Sequence, residues 1–181
     1  MIVKLSLLTN RLIAPVFASA LLSGCAGGQP PLATVDYVDL DRFMGDWYVI
    51  ANIPTFVEKG AHNAVETYEL APDGSIKTTF VFNKDAFDGD RKEHNPTGFV
   101  KNTETNAEWG MQFIWPIKAD YRIVYLTDDY SQTVIARNKR DFIWIMARTP
   151  TISDQDYADI VAMAGDMGYD VSKIQKVPQQ W

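Results

Sequence analysis

From residue 45 onward the chain runs as short segments in which apolar and polar residues alternate, separated by turn residues. A period of two sends successive side chains to opposite faces of a strand. On that pattern strands are predicted at 46–52, 63–70, 75–83, 97–102, 107–115, 120–127, 132–138 and 141–148. Pro72-Asp73-Gly74 is a hairpin turn. Asp88-Gly89-Asp90 and Asn95-Pro96 bracket a longer polar loop. In 107–115 one face carries Trp109, Met111, Phe113 and Trp115, and the other Glu108, Gly110, Gln112 and Ile114. In 75–83, Ile76, Thr78, Phe80 and Phe82 oppose Lys77, Thr79 and Val81. The segment 141–148 is apolar on both faces, so its outer face needs a cover. The cover is a helix predicted over 154–167, capped by Ser153, with Tyr157, Ile160, Val161, Ala164 and Met167 on one stripe and Gly168 at its end. A helical turn at 39–43 and a short last strand at 171–176 complete the pattern. The fold predicted is all-β: an eight-stranded up-and-down antiparallel barrel with one C-terminal helix packed on the outside.

The N-terminal pattern differs. Lys4 and Arg11 precede an apolar run from Leu12 to Leu22. That run is well short of the roughly 20 residues that span a bilayer, and suits the core of a signal peptide. It ends in Leu22-Ser23-Gly24-Cys25, which resembles the bacterial lipobox, a signal whose cysteine becomes the lipidated first residue of the mature chain. Cys25 is the only cysteine. The expected organisation is a signal peptide over 1–24, a lipidated tether over 25–34 and a barrel over 35–181. Removing 1–24 takes away two positive charges and turns a formal charge of −6 into −8.

Composition narrows the chemistry. One cysteine excludes an intrachain disulfide and a thiolate metal cluster. His62 and His94 are far apart, both in polar contexts that read as loops, so no metal site and no cofactor is expected. An acidic chain without a basic run is a poor nucleic-acid binder. The 12% of aromatic residues is the surplus to explain, and an inward-facing ring set in a small barrel explains it.

Three groups then carry a resemblance. Gly45-Asp46-Trp47-Tyr48 opens the first strand, Thr127-Asp128-Asp129-Tyr130 sits in a turn between two strands, and Arg148 ends the eighth. In this order and spacing they resemble the three motif regions of the lipocalin family. The segments 64–70, 141–151 and 168–173 resemble its bacterial outer-membrane lipoprotein branch and, more distantly, apolipoprotein D. The resemblance implies structural roles for Gly45, Trp47, Thr127, Asp128, Tyr130 and Arg148. Arg148 shares strand parity with Trp144, so its guanidinium can lie over Trp47 and donate to nearby carbonyls. Asp128 can accept turn amides, and Tyr130 can pack beneath.

The resemblance also implies a fatty acid or lysophospholipid ligand. It further implies attachment to the periplasmic side of the outer membrane through acylated Cys25, and it allows a homodimer. The residues expected to line the pocket are Phe80, Phe82, Val100, Trp109, Met111, Phe113, Tyr125 and Trp144. A head group would meet Arg122, Arg91, Lys84, Lys92 or Lys118 at the rim. The alternatives are a filled barrel that binds partners, a pigment or haem carrier using His62 or His94, and an enzyme. For catalysis the chain offers no recognisable triad, and Glu66 and Asp120 read as lone acids.

Overall fold

A computed structural model describes residues 29–181; the expected signal segment and Cys25 lie outside the described residues. The elements are α1 (Leu40–Phe43), β1 (Gly45–Ile53), β2 (Ala61–Leu70), β3 (Ile76–Lys84), β4 (Arg91–His94), β5 (Thr97–Val100), β6 (Glu108–Ile114), β7 (Ile117–Leu126), β8 (Gln132–Ala136), β9 (Ile143–Ala147), α2 (Asp154–Asp166), a 3-10 turn at Val171–Lys173 and β10 (Gln175–Lys176).

The strands pair antiparallel in chain order, and β9 returns to β1 to close the sheet. Both β4 and β5 pair with β3, so together they fill one position, and the barrel has eight positions. The last strand, β10, pairs with β1 at Ala51 and Asn52. Beyond it Val177 donates to the Ile50 carbonyl and Asn63 to that of Pro178, so the C-terminal segment ties the far half of β1 to β2.

Alternation divides the buried residues into two cores. Inside the barrel are Phe43, Trp47, Tyr68, Phe82, Trp109, Ile123 and Met146. Between the wall and α2 are Ile143, Ile145 and Ala147 of β9 with Ile160 and Ala164 of the helix. The second core explains the strand that is apolar on both faces. Ser153 Oγ caps α2 by accepting the Asp156 amide at 3.0 Å. Among the described residues, 29–181, the sheet closes and both cores are packed.

Three local departures from the predicted pattern bear on the site. The polar loop predicted over 88–96 contains a strand, β4, whose Arg-Lys-Glu-His sequence has no apolar alternation to reveal it. In β7 the register shifts between Ile123 and Tyr125, because Val124 is an extra residue opposite β8. In β6 it shifts between Met111 and Ile114. Each bulge inverts which face the following side chains occupy.

Candidate functional site

The closed end is built around Arg148. Gly45 adopts φ +93°, a conformation open to glycine, and turns the chain from α1 into β1. That turn points three carbonyls of the α1 end inward. Arg148 Nη2 donates to the Arg42, Phe43 and Met44 carbonyls at 2.9–3.0 Å, and Nη1 to Asp46 at 2.7 Å. The guanidinium lies 3.8 Å from the Trp47 ring centre. Trp47 donates its indole N–H to Phe43.

The β7–β8 turn braces this end. Tyr130 accepts the Asp39 amide at 2.8 Å, and Arg42 stacks on its ring. Thr127 Oγ1 accepts the Ser131 and Gln132 amides. Asp128 does not accept turn amides as expected. Its backbone carbonyl takes Arg42, and Asp129 accepts the Ser131 amide instead. Hydrogen bonds from Thr127, then Ser131, hold the Asp129 carboxyl down at about 2.

Above Trp47 lies a layer of rings. Phe43 contacts Trp47, Tyr68 and Trp109 at 5.0–5.6 Å between centres, and Trp109 stacks on Tyr121 at 5.3 Å. Over this layer a cavity of about 440 Å³ opens toward the 54–60 loop and the β6–β7 hairpin. The barrel is not filled.

The eight side chains expected to line the pocket separate into three groups. Phe80, Met111, Phe113 and Trp144 do line the cavity. Phe82, Val100 and Trp109 belong to the interior packing and do not reach it. Trp109 is completely buried in the ring layer, where its indole N–H binds the Asn106 carbonyl. Tyr125 corrects the expectation outright. The bulge at Val124 turns it to the outer wall, packed against the α2 core, where burial and Asp156 raise its pKa. Trp115 likewise fails to face inward; it is 82% exposed at the hairpin tip beside Ile114 and Ile117.

The expected rim cations are engaged elsewhere. Arg122 is on the outer wall, bonded to Glu108 at 2.9 Å and beside Asp120. Lys118 sits over the Phe99 ring. Arg91 pairs with Glu93, Lys92 with Asp90, and Lys84 lies beside Asp85. Nor are the histidines in loops. His62 lies in β2, edge-on to Phe87, and His94 in β4 lines the cavity beside Phe80 and Phe82.

Glu66, which the sequence presents as a lone acid, has an acidic neighbour in Glu58, which the sequence pattern does not single out. Glu66 shares strand parity with Ala64 and Tyr68, and all three are buried. A charged residue at an inward position is the signal that could have found it. Its strand neighbours are Trp47 and Phe80, just above the ring layer. Glu58 descends from the 54–60 loop, and its Oε2 accepts the Trp144 indole N–H at 3.0 Å and Asn52 at 3.2 Å. Both carboxylates line the cavity. Burial pushes Glu66 up to about 7, with Glu58 adding to the rise and a hydrogen bond from Tyr68 opposing it. Burial raises Glu58 too, against the donors from Trp144, Thr55 and Asn52. Tyr68 and Tyr121 meet hydroxyl to hydroxyl at 2.5 Å, and burial raises both. Asp120 is not a lone acid: it accepts the Asn138 amide and pairs with Arg122.

Known proteins match this chain along most of its length. Residues 38–179 match a family model described as a lipocalin-like domain. The chain is 31% identical over 173 residues to the outer membrane lipoprotein Blc of Escherichia coli K12, covering 93% of this chain and 96% of that protein. It is also 31% identical to temperature-induced lipocalin-1 of Arabidopsis thaliana, over 82% and 83% of the two chains. Among solved structures, insecticyanin of the tobacco hornworm Manduca sexta superposes with a TM-score of 0.64 at 16% identity, over 83% of this chain and 86% of its own. Lobster apocrustacyanin A1 gives 0.61 at 15% identity, over 78% and 79%. At those identities the structural likeness concerns the fold.

Proposed function

The chain belongs to the lipocalin family, whose members bind small hydrophobic ligands, and from that premise we propose that its barrel carries an amphiphile of the fatty acid or lysophospholipid class. The observation that carries the reading is the cavity of about 440 Å³, walled by Phe80, Met111 and Trp144 and continued outward by the exposed Phe56, Phe113 and Ile114. Its volume lies in the range of small-molecule pockets, and its lining favours an acyl chain. Each methylene buried contributes about 0.8 kcal/mol, offset in part by the entropy of immobilising the chain.

The proposal extends to place. The lipobox-like Leu22-Ser23-Gly24-Cys25 and relatives named outer membrane lipoproteins support a chain acylated at Cys25 and held at the outer membrane. There it would store, transport or scavenge membrane lipids, by binding rather than by turnover. Residues 29–181 produced in bacteria and extracted should yield acyl lipids by mass spectrometry. The stripped protein should bind added lysophospholipid with a change in tryptophan fluorescence. No extracted lipid, together with no response to lysophospholipid or fatty acid, would overturn the reading.

A further inference from the structure

We propose that the inner part of the cavity is an acidic subsite for a cationic nitrogen head group, a primary or quaternary ammonium on an alkyl or acyl chain, whose tail leads outward to the mouth. The inference rests on the amphiphile reading above and specifies which amphiphile and which way round.

Three carboxylates line the cavity, Glu58, Glu66 and Asp120, and of these Asp120 is already paired with Arg122. Glu66 sits between Trp47 and Phe80 in the strand register, deep in the barrel, and its polar neighbours are Tyr68 and Glu58 rather than a cation. Among the described residues Arg137 is the only lysine or arginine on the cavity wall. Its Nε is 3.5 Å from Asp141, and its guanidinium faces the Phe142 ring. A buried carboxylate with no cation is costly, and an incoming cation removes that cost. The aromatic walls suit the same guest: Phe80, Tyr121 and Trp144 present ring surface, which attracts ammonium ions when water is excluded.

The outer part of the cavity has the opposite chemistry. Phe56, Phe113 and Ile114 are apolar and strongly exposed where they border it. The cations of the rim are paired with Asp85, Asp90 and Glu93, so an anionic head finds no free partner among them. Polar chemistry inside and apolar chemistry outside orient the ligand head first. An anionic head placed against Glu58 and Glu66 is repelled.

The test is calorimetric titration of residues 29–181 at pH 8 with four twelve-carbon probes below their micelle concentrations. They are dodecyltrimethylammonium, dodecanol, laurate and lauroyl-lysophosphatidylcholine. The expected order places the ammonium above the alcohol and the alcohol above laurate. The ammonium should exceed laurate by on the order of tenfold or more. Glu66→Gln and Glu58→Gln, each checked for an intact thermal transition, should narrow that gap, chiefly by weakening the ammonium. Lysophosphatidylcholine binding as tightly as the plain ammonium assigns the head to a phospholipid; weaker binding assigns it to a phosphate-free amine. Laurate equal to or tighter than the ammonium, or a gap untouched by both variants, overturns the subsite and leaves the amphiphile reading standing. No binding by any probe overturns both.

Discussion

At the closed end of the barrel the Arg148 guanidinium is met by four backbone carbonyls and the face of Trp47. Deeper in the cavity the Glu66 carboxylate is met by a tyrosine hydroxyl and another acid. Arg148 directly follows β9 and Glu66 lies within β2, so both are carried by the barrel wall. The difference lies in what the backbone offers. The end of α1 leaves carbonyls without helical partners, and a guanidinium with its fan of donors satisfies them together. The middle of a strand offers nothing, since its N–H and C=O groups are consumed by the sheet. A charge at the closed end is therefore structural, whereas a charge in the cavity wall is held at a cost to stability and is left available to a ligand.

The largest effect that would break this contrast is at Arg148. Arg148→Met should cost about 4 kcal/mol in denaturant unfolding, because it strands the α1 carbonyls and uncovers Trp47. Arg148→Lys should recover only part of that, since one ammonium cannot reproduce the planar fork. Full recovery by lysine would reduce the site to a point charge.

Next in size is Glu66→Gln, which should act in the opposite direction. The folded protein holds this carboxyl at about 7 against an ordinary 4.5, so it favours the neutral form. Stability then falls as pH rises from about 4.5 to 7 and levels off above, a loss of about 3 kcal/mol. The groups around the carboxyl are Glu58, Tyr68 and Tyr121, with His94, Asp120 and Arg137 elsewhere on the cavity wall. The glutamine variant should match the wild type near pH 4.5 and exceed it at pH 8 by that amount. A difference that does not change with pH would contradict the assignment.

Trp144→Phe should cost about 2 kcal/mol by taking one of the donors from Glu58 Oε2 while keeping an aromatic wall. Tyr68→Phe should cost about 1 kcal/mol, leaving the Tyr121 hydroxyl without its partner. It should also raise the midpoint of the Glu66 transition, because the opposing hydrogen bond is gone. An unmoved midpoint would mean that Tyr68 does not hold that carboxyl.

How far these two regions could be read in the sequence also differs. The closed end was legible, because Gly45, Trp47 and Arg148 stand at strand ends where parity and position point the same way. The turn was legible except in its acceptor: adjacent aspartates cannot be told apart without the left-handed Tyr130 that aims Asp129 at the Ser131 amide. The cavity was less legible. Parity tells which side chains face inward but not at what depth, so Trp109 and Phe82 joined the lining on paper and the packed interior in the molecule. One extra residue at Val124 sent Tyr125 outside. Glu66 looked solitary because Glu58, Tyr121 and Trp144 reach it or its neighbours from other strands and a loop, through contacts the barrel alone creates.

The central claim is that the cavity is the ligand site, and Ala119, on its wall, gives the most direct measurement. Ala119→Trp would place an indole in that space without replacing any residue of the ring layer, the acids or Arg148. Calorimetric titration of lysophosphatidylcholine into residues 29–181 should show binding by the wild type. In the variant, with its thermal transition preserved, affinity should fall on the order of tenfold or more. Undiminished affinity in a folded Ala119→Trp protein would put the ligand outside the barrel and contradict the account.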